Sequence, residues 1–129
     1  MQANTQAIFP NVPNLGMVQI STANTARDGT GTLGTLLTPG VNGTFIERAY
    51  VQAAGTTTAG MVRVFLSNGT DTRLMDEIPV QAITPSATVE AWEAELPSLS
   101  GLTLPTGWTV KVSTNNAEAF NCFALAGNF

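Results

Sequence analysis

The stretch from residue 61 to residue 80 is the strongest constraint on the fold, because it has the pattern of a β-hairpin. Its two arms are rich in β-branched and other apolar residues, and they flank the pair Asn68-Gly69. Asn and Gly tolerate the positive φ that a type I′ turn requires at both central positions, so such a pair predicts a tight hairpin turn. Both faces of the first arm, residues 61–66, are mostly apolar. We therefore expect this arm to lie inside a sheet that is covered on each face.

The rest of the chain consists of further short strand patterns separated by turn residues. Strands are predicted at residues 15–21, 33–37, 44–53, 88–96, 108–113 and 120–126. In residues 88–96, the set formed by Glu90, Trp92, Ala94 and Leu96 is expected to face the core. With the hairpin this makes about eight strands and no helical stripe, which predicts an all-β, single-domain antiparallel β-sandwich of the jelly-roll type.

Residues 1–14 precede the first predicted strand and show no period. Two prolines, Pro10 and Pro13, hold this segment extended and remove donors that a ladder would need. Disordered tails are generally poor in apolar groups, yet the segment contains Ile8, Phe9 and Val12. The sequence therefore predicts an extended N-terminal arm, residues 1–14, before a β-sandwich domain, residues 15–129. The arm packs either on its own domain or on a neighbouring subunit.

Residues 22–34 form an unusually long connection for a compact domain. The segment contains Asp28-Gly29 and several Gly-Thr pairs, and Arg27 and Asp28 are its only charged residues. Long loops without secondary structure are often functional. We therefore treat this loop as a second candidate for partner binding.

Charged residues are scarce in this chain. They make up 11% of it, against about 25% in an ordinary soluble domain. Nineteen threonines, with many Ser and Asn, keep the surface polar without charge. Charge is depleted where partners bury a patch, so this composition suits either an interface-rich surface or a neutral coat of Thr, Ser and Asn.

The overall charge and hydropathy exclude two classes of partner. The net charge is −4 with no basic patch, so we expect no nucleic-acid binding. No apolar run approaches the ~20 residues that cross a bilayer, so we expect no membrane association. The first residues lack the pattern of a secretory signal peptide, which predicts synthesis in the cytoplasm without export by that route.

The residues that usually carry catalysis are mostly missing. The chain has no His, which removes the commonest general base and His metal sites. Glu93 and Glu95 share one strand face, roughly 7 Å apart by strand rise, but a solvated or interface face explains them better than a glycosidase pair. Asp71 and Asp76 lack the spacing of a calcium loop. We therefore expect no enzyme activity, no metal and no cofactor, and we expect Cys122 to be a buried apolar residue.

Four segments carry a resemblance to small structural proteins of tailed bacteriophages. They are STANTARDGTG at residues 21–31, FIERAYVQAAGTTTAG at 45–60, LPTGWTVKVST at 104–114 and FNCFALAG at 120–127. Within that group the chain is most similar to head decoration, or cement, proteins. The resemblance extends over about the last 110 residues, and it consists of turns and strands with no catalytic signature.

The resemblance implies a jelly-roll-like domain that caps joints between capsid subunits, often as a homotrimer. The implied partner is the major capsid protein, and the implied location is the outer surface of the virion after synthesis in the host cytoplasm. We place the capsid-binding residues in the arm and in the long loop: Ile8, Phe9, Pro10, Val12, Arg27 and Asp28. The alternative is a carbohydrate-binding or receptor-binding β-sandwich module of a tail fibre, in which Tyr50, Trp92 and Trp108 would form a sugar platform instead of core.

Overall fold

The computed structural model describes residues 9–129, which form nine β-strands and one short 3-10 helix, Pro97–Leu99. No helix in this part of the chain is long and apolar enough to cross a membrane. The strands run in the order β1 Val12–Ile20, β2 Gly34–Leu37, β3 Thr44–Ala53, β4 Gly60–Ser67, β5 Thr72–Val80, β6 Glu93–Glu95, β7 Thr103–Leu104, β8 Thr109–Thr114 and β9 Phe120–Asn128.

The strands form two antiparallel sheets. Sheet A has the order β1-β9-β3-β6, with the two-residue β7 also paired to β3. Sheet B has the order β2-β8-β4-β5. Apart from the β4–β5 hairpin and the short β7, successive strands alternate between the sheets, as in a jelly roll. The predicted β-sandwich is confirmed.

The core lies between the two sheets and consists of the inward-facing residues of each strand. The fully buried members include Ile46 and Val51 from sheet A and Val64 and Val112 from sheet B. Trp92 closes one side of the core, with its ring edge-on to Phe120 at a centroid distance of 5.7 Å. Alternation of apolar residues along short strands thus produces one continuous core.

The predicted hairpin is present, but its turn differs from the prediction. Ser67 pairs with Thr72, which leaves a four-residue loop instead of a two-residue type I′ turn. Of the four loop residues, only Gly69 has a positive φ, at 92°. The Asn68 amide donates to the carbonyl oxygen of Asp71, and the Asn68 side-chain oxygen accepts the amide N–H groups of Thr70 and Asp71. The side chain of Asn68 therefore stabilises a longer loop, and the predicted type I′ turn was wrong.

Residues 88–96 form less strand than their alternation predicted. Only Glu93–Glu95 pair with β3, because a turn closed by Ser86 occupies the start of the segment. The Ser86 hydroxyl accepts the amide N–H groups of Thr88 and Val89. Trp92 and Leu96 are buried as expected, whereas Glu90, at the start of the segment, is exposed.

The first strand begins earlier than its pattern predicted. β1 starts at Val12, which pairs with Asn128, so residues 12–14 of the predicted arm are ladder residues of sheet A. The side chain of Asn14 donates to the Thr38 carbonyl oxygen and to the side-chain oxygen of Asn128. Pro13 is tolerated because β1 is an edge strand, where a residue without an N–H can face away from the ladder.

Candidate interaction surfaces

The long loop was predicted at residues 22–34 and connects β1 to β2 as residues 21–33. It packs against the outer face of sheet B. Two residues on that face of β4 are nearly inaccessible: Arg63 is 3% exposed and Phe65 is fully buried. Arg63 donates from Nε to Glu77 Oε2 at 2.9 Å, and from Nη1 to the Asn24 carbonyl oxygen at 3.4 Å and to Asn115 Oδ1 at 3.2 Å. A buried charge requires such partners, so the loop and the sheet bury it together.

The same loop is fixed at both sides of sheet B. The Asn24 amide donates to the Thr114 carbonyl oxygen at 2.8 Å, and Arg27 Nε pairs with Glu77 Oε2 at 2.8 Å. The hydrogen bond from Arg27, assisted by that from Arg63, lowers the pKa of Glu77. Asp28 accepts the amide N–H and the hydroxyl of Thr30, and these bonds lower its pKa. Arg27 and Asp28, two predicted capsid contacts, thus also hold the loop in place.

The outer face of sheet A differs, because its β1 side carries large apolar side chains that are open to solvent. Leu15 is 76% exposed and Met17 is 73% exposed. They pair across the sheet with Leu125 and Phe123 of β9, so the four side chains form two adjacent rows on one face. β1 stands at the end of the sheet order, and within residues 9–129 no strand pairs with its outer edge.

The two rows continue across the face into an aromatic centre and a charged border. Phe123 stacks on Tyr50 at a centroid distance of 5.2 Å, and the Arg48 guanidinium lies 4.7 Å from the Tyr50 ring centre. Arg48 also forms a bidentate ion pair with Glu95 of β6, and this contact raises the pKa of Arg48. Next to the apolar rows, Gln19 donates to the side chain of Asn121 at 2.9 Å.

The described part of the arm lies at the start of β1. Phe9 is 73% exposed and Val12 is 53% exposed, and the Pro10 ring lies over Gly127 of β9. Pro10 and Val12 border a shallow depression of about 270 Å³, together with Pro13, Phe45 and Glu47.

The structure therefore brings three predicted site residues together and separates two others from them. Phe9, Pro10 and Val12 lie at one end of sheet A, whereas Arg27 and Asp28 lie on sheet B. The predicted contact Ile8 falls outside the described residues.

Residues 9–129 contain no cluster of three or more His, Cys, Asp or Glu that could hold a metal ion. Cys122 is fully buried, and burial raises the pKa of its thiol to about 12. Trp92 is buried in the core, and Arg48 lies over the Tyr50 ring, so neither presents the open ring that a sugar platform requires.

The strand predicted at residues 15–21 gave no indication of the exposed apolar rows. Val18 and Ile20 lie on the face of β1 that is turned towards the core, whereas Leu15 and Met17 form a second apolar set on the opposite face. The sequence nevertheless contains this pattern, because β1 has apolar residues on both faces although it is an edge strand. A long, flat, apolar edge is uncommon in free monomers, which normally protect such edges with charge.

The chain matches no protein-family model and no curated protein. Among solved structures it is similar to two crystal structures of a pentameric capsid protein isolated from metagenomic phage sequences. The first shares 13% identity, with 89% of this chain and 60% of that chain covered and a TM-score of 0.42. The second shares 12% identity, with 89% and 68% covered and a TM-score of 0.42. This chain thus spans about three fifths of the first of these proteins.

Proposed function

We propose that this protein is a virion structural protein of a tailed phage, and that it acts as a decoration (cement) protein on the outside of the head. It binds at joints between major capsid subunits and stabilises the shell without catalysing a reaction. The observation that carries the proposal is the exposed, uncharged segment that leads into β1, with Phe9, Pro10 and Val12 left open to solvent by the chain's own fold. Apolar residues grouped at the surface in this way are typical of a protein interaction site.

The arm supplies the first contact with the capsid. Phe9, Pro10 and Val12 are exposed, and Pro10 and Val12 lie at the rim of the depression on sheet A, so the three side chains can be buried on another surface without unfolding this domain. Burying one aromatic ring of this kind contributes roughly 1.5–3 kcal/mol. Pro10 reduces the conformational entropy that is lost when the arm docks. Ile8 extends this apolar segment by one residue in the sequence.

The long loop supplies the second contact. Arg27 uses Nε to bind Glu77, yet its side chain remains 59% exposed, so its outer nitrogens can still donate to a carboxylate on the capsid. Asp28 is exposed beside it. Because the polar network beneath it fixes the loop, these charges are held in place before binding, which lowers the entropic cost of association.

The protein functions as a homo-oligomer with closed cyclic symmetry, the usual arrangement for copies of one chain. Three copies is the number implied by the resemblance to decoration proteins. The major capsid protein is the only other partner, and the molecule is located on the virion surface after synthesis in the host cytoplasm. The net charge of −4 and the scarcity of basic residues argue against nucleic acid as a partner.

Co-sedimentation with phage heads that lack this protein tests the arm contact. Phe9→Ala should weaken binding, and deletion of residues 1–9 should weaken it at least tenfold, which corresponds to about 1.4 kcal/mol. The deletion stops before β1, because removing residues 12–14 would break the ladder with β9. The melting temperature should remain nearly unchanged, since Phe9 is mostly exposed. Val89→Ala, an exposed apolar residue in the loop before β6, is the matched control and should bind normally.

Two results would contradict this proposal. Full binding by the deletion variant would remove the arm from the contact. A saturable hit in a glycan screen, abolished by Trp108→Ala with folding intact, would instead favour the receptor-binding module of a tail fibre.

A further inference from the structure

We propose that the outer face of β1 and β9 is the contact between copies of this chain, and that β1 lies next to the rotation axis of the oligomer. This inference deepens the self-association included in the proposed function, because it assigns that contact to named residues. Self-association requires no capsid, so the inference can be tested with purified protein.

The apolar rows provide the energetic reason for a contact on this face. Leu15 and Met17 are mostly exposed in the single chain, and their partners Leu125 and Phe123 lie beside them on β9. Their burial would contribute roughly 25 cal/mol for each Å² of apolar area removed from water.

The distribution of charge favours β1 and β9 over the β3–β6 side of sheet A as the contact between copies. β1 and β9 contain no charged residue, whereas all four charges of sheet A lie on β3 and β6: Glu47, Arg48, Glu93 and Glu95. Contact between copies through the β3–β6 side would bring three carboxylates towards their own equivalents in a molecule of net charge −4. Contact through β1 and β9 avoids this repulsion and leaves the charges at the rim, as is usual in interfaces.

A position next to the axis is compatible with any closed ring. Residues beside a rotation axis meet their own equivalents whether the ring contains two, three or five copies, so a patch there must be complementary to itself. The β1–β9 rows meet this condition, because they combine apolar side chains with the neutral Gln19–Asn121 pair.

The position of β1 also has a consequence for the arm. Phe9 and Pro10 directly precede β1, so an axis beside β1 gathers the arms of all copies at one end of the oligomer. Several arms acting together on one capsid joint raise the overall affinity without any new contact, because later binding events become intramolecular.

Sedimentation equilibrium of purified full-length protein over micromolar concentrations tests this inference. Wild-type protein should form a closed oligomer, and Met17→Glu and Leu15→Glu should each weaken self-association at least 100-fold. Val89→Glu places the same charge at an exposed apolar position before β6, away from β1, and should leave the oligomer intact. Circular dichroism should show the same β-rich fold in all three variants, because none of the substituted side chains belongs to the core.

Two outcomes would overturn the inference. One is a wild-type protein that stays monomeric at every concentration. The other is a pair of folded glutamate variants that assemble as tightly as wild type, which would place the contact elsewhere. Loss of capsid binding by the arm variants, with the oligomer preserved, would bear only on the arm. Conversely, wild-type oligomers that fail to bind any head would overturn the proposed function and leave this contact standing.

Discussion

Both outer faces of the sandwich carry large apolar side chains, but these side chains are buried on sheet B and exposed on the β1 side of sheet A. On sheet B, Phe65 is fully buried, and the loop of residues 21–33 is fixed on the same outer face by Arg27 and Asn24. On the β1 side of sheet A, Leu15 and Met17 remain exposed because no described segment crosses them. Apolar residues on an outer sheet face therefore indicate that another segment or another molecule packs on that face. Which of the two it is depends on how the loops connect the strands.

The charged residues also differ between the two faces. Sheet B buries Arg63 with Glu77 and loop carbonyl groups, an arrangement that works only if the loop is ordered. Sheet A keeps its charges on β3 and β6 and none on β1 and β9. We therefore regard the sheet B face as part of the folded monomer and the β1–β9 face as a surface for assembly.

Truncating the covered aromatic residue should give the largest effect. Phe65→Ala removes a fully buried ring from beneath the loop, and we expect a loss of about 3–5 kcal/mol in the free energy of unfolding. Leu15→Ala, on the open face, should cost less than about 1 kcal/mol at concentrations where the protein is monomeric. Urea denaturation measures both. Equal losses in the free energy of unfolding would mean that Phe65 and Leu15 are buried to the same extent in the monomer.

Removing the buried charge should have the next largest effect. Arg63→Met keeps most of the side-chain volume but leaves the Asn24 carbonyl oxygen and Asn115 without their donor, which should cost about 2–4 kcal/mol. The control is Arg73→Met, because Arg73 pairs with Asp71 at an exposed site with a long distance of 3.4 Å and should contribute less than about 0.5 kcal/mol. A proteolysis assay should also show faster cleavage within residues 21–33 in the Arg63 variant alone. Unchanged cleavage would show that Arg63 does not hold the loop.

The hairpin loop of sheet B should give a smaller loss. Gly69 has φ of 92°, where a β-branched residue is strained, so Gly69→Val should cost about 1–3 kcal/mol. Thermal melts measure the change, with Thr70→Val in the same loop as a control, since no positive φ occurs there. Because this loop belongs to sheet B, the folded variant should still self-associate through sheet A. A variant as stable as wild type would contradict the conformation assigned to Gly69.

Acid should weaken the attachment of the loop to sheet B, because Glu77 titrates there. The apolar rows of sheet A contain no titratable group. The ion pairs with Arg27 and Arg63 lower the pKa of Glu77 below its ordinary value of 4.5. Its contribution to stability is therefore complete above pH 4.5 and is lost as the pH falls through the lowered folded-state value. Denaturation at a series of pH values should show this loss in wild type and a smaller loss in Glu77→Gln. An identical pH dependence in both proteins would exclude Glu77 as the group responsible.

The sequence predicted the parts of the fold that depend on local pattern. Alternation placed β3 at Thr44–Ala53 and predicted the β4–β5 hairpin, because apolar periodicity and turn residues act over a few positions. It failed where a side chain competes with the ladder: Asn68 lengthens the hairpin loop, and Ser86 closes a turn where a strand was predicted. Such bonds depend on the local path of the chain and leave no periodic signal.

The candidate surfaces were predictable only in part. The combination of prolines and apolar residues without charge predicted the arm; Phe9, Pro10 and Val12 are exposed, but Val12 already belongs to β1. The β1–β9 rows were not recognised, since their exposure depends on β1 being an edge strand and on the long loop crossing the other sheet. Both are properties of the topology, which local patterns do not determine.

Disulfide cross-linking through Met17 is the most direct test of the central claim that the β1–β9 face meets its own copy. Met17→Cys adds one exposed thiol, while the natural Cys122 is fully buried with a pKa raised to about 12 and should not react. Mild oxidation at micromolar concentration should convert most Met17→Cys protein into covalent dimers on a denaturing gel, while Val89→Cys remains monomeric. Rapid dimer formation by Val89→Cys with none by Met17→Cys would contradict the account and move the contact to the opposite side of the sandwich.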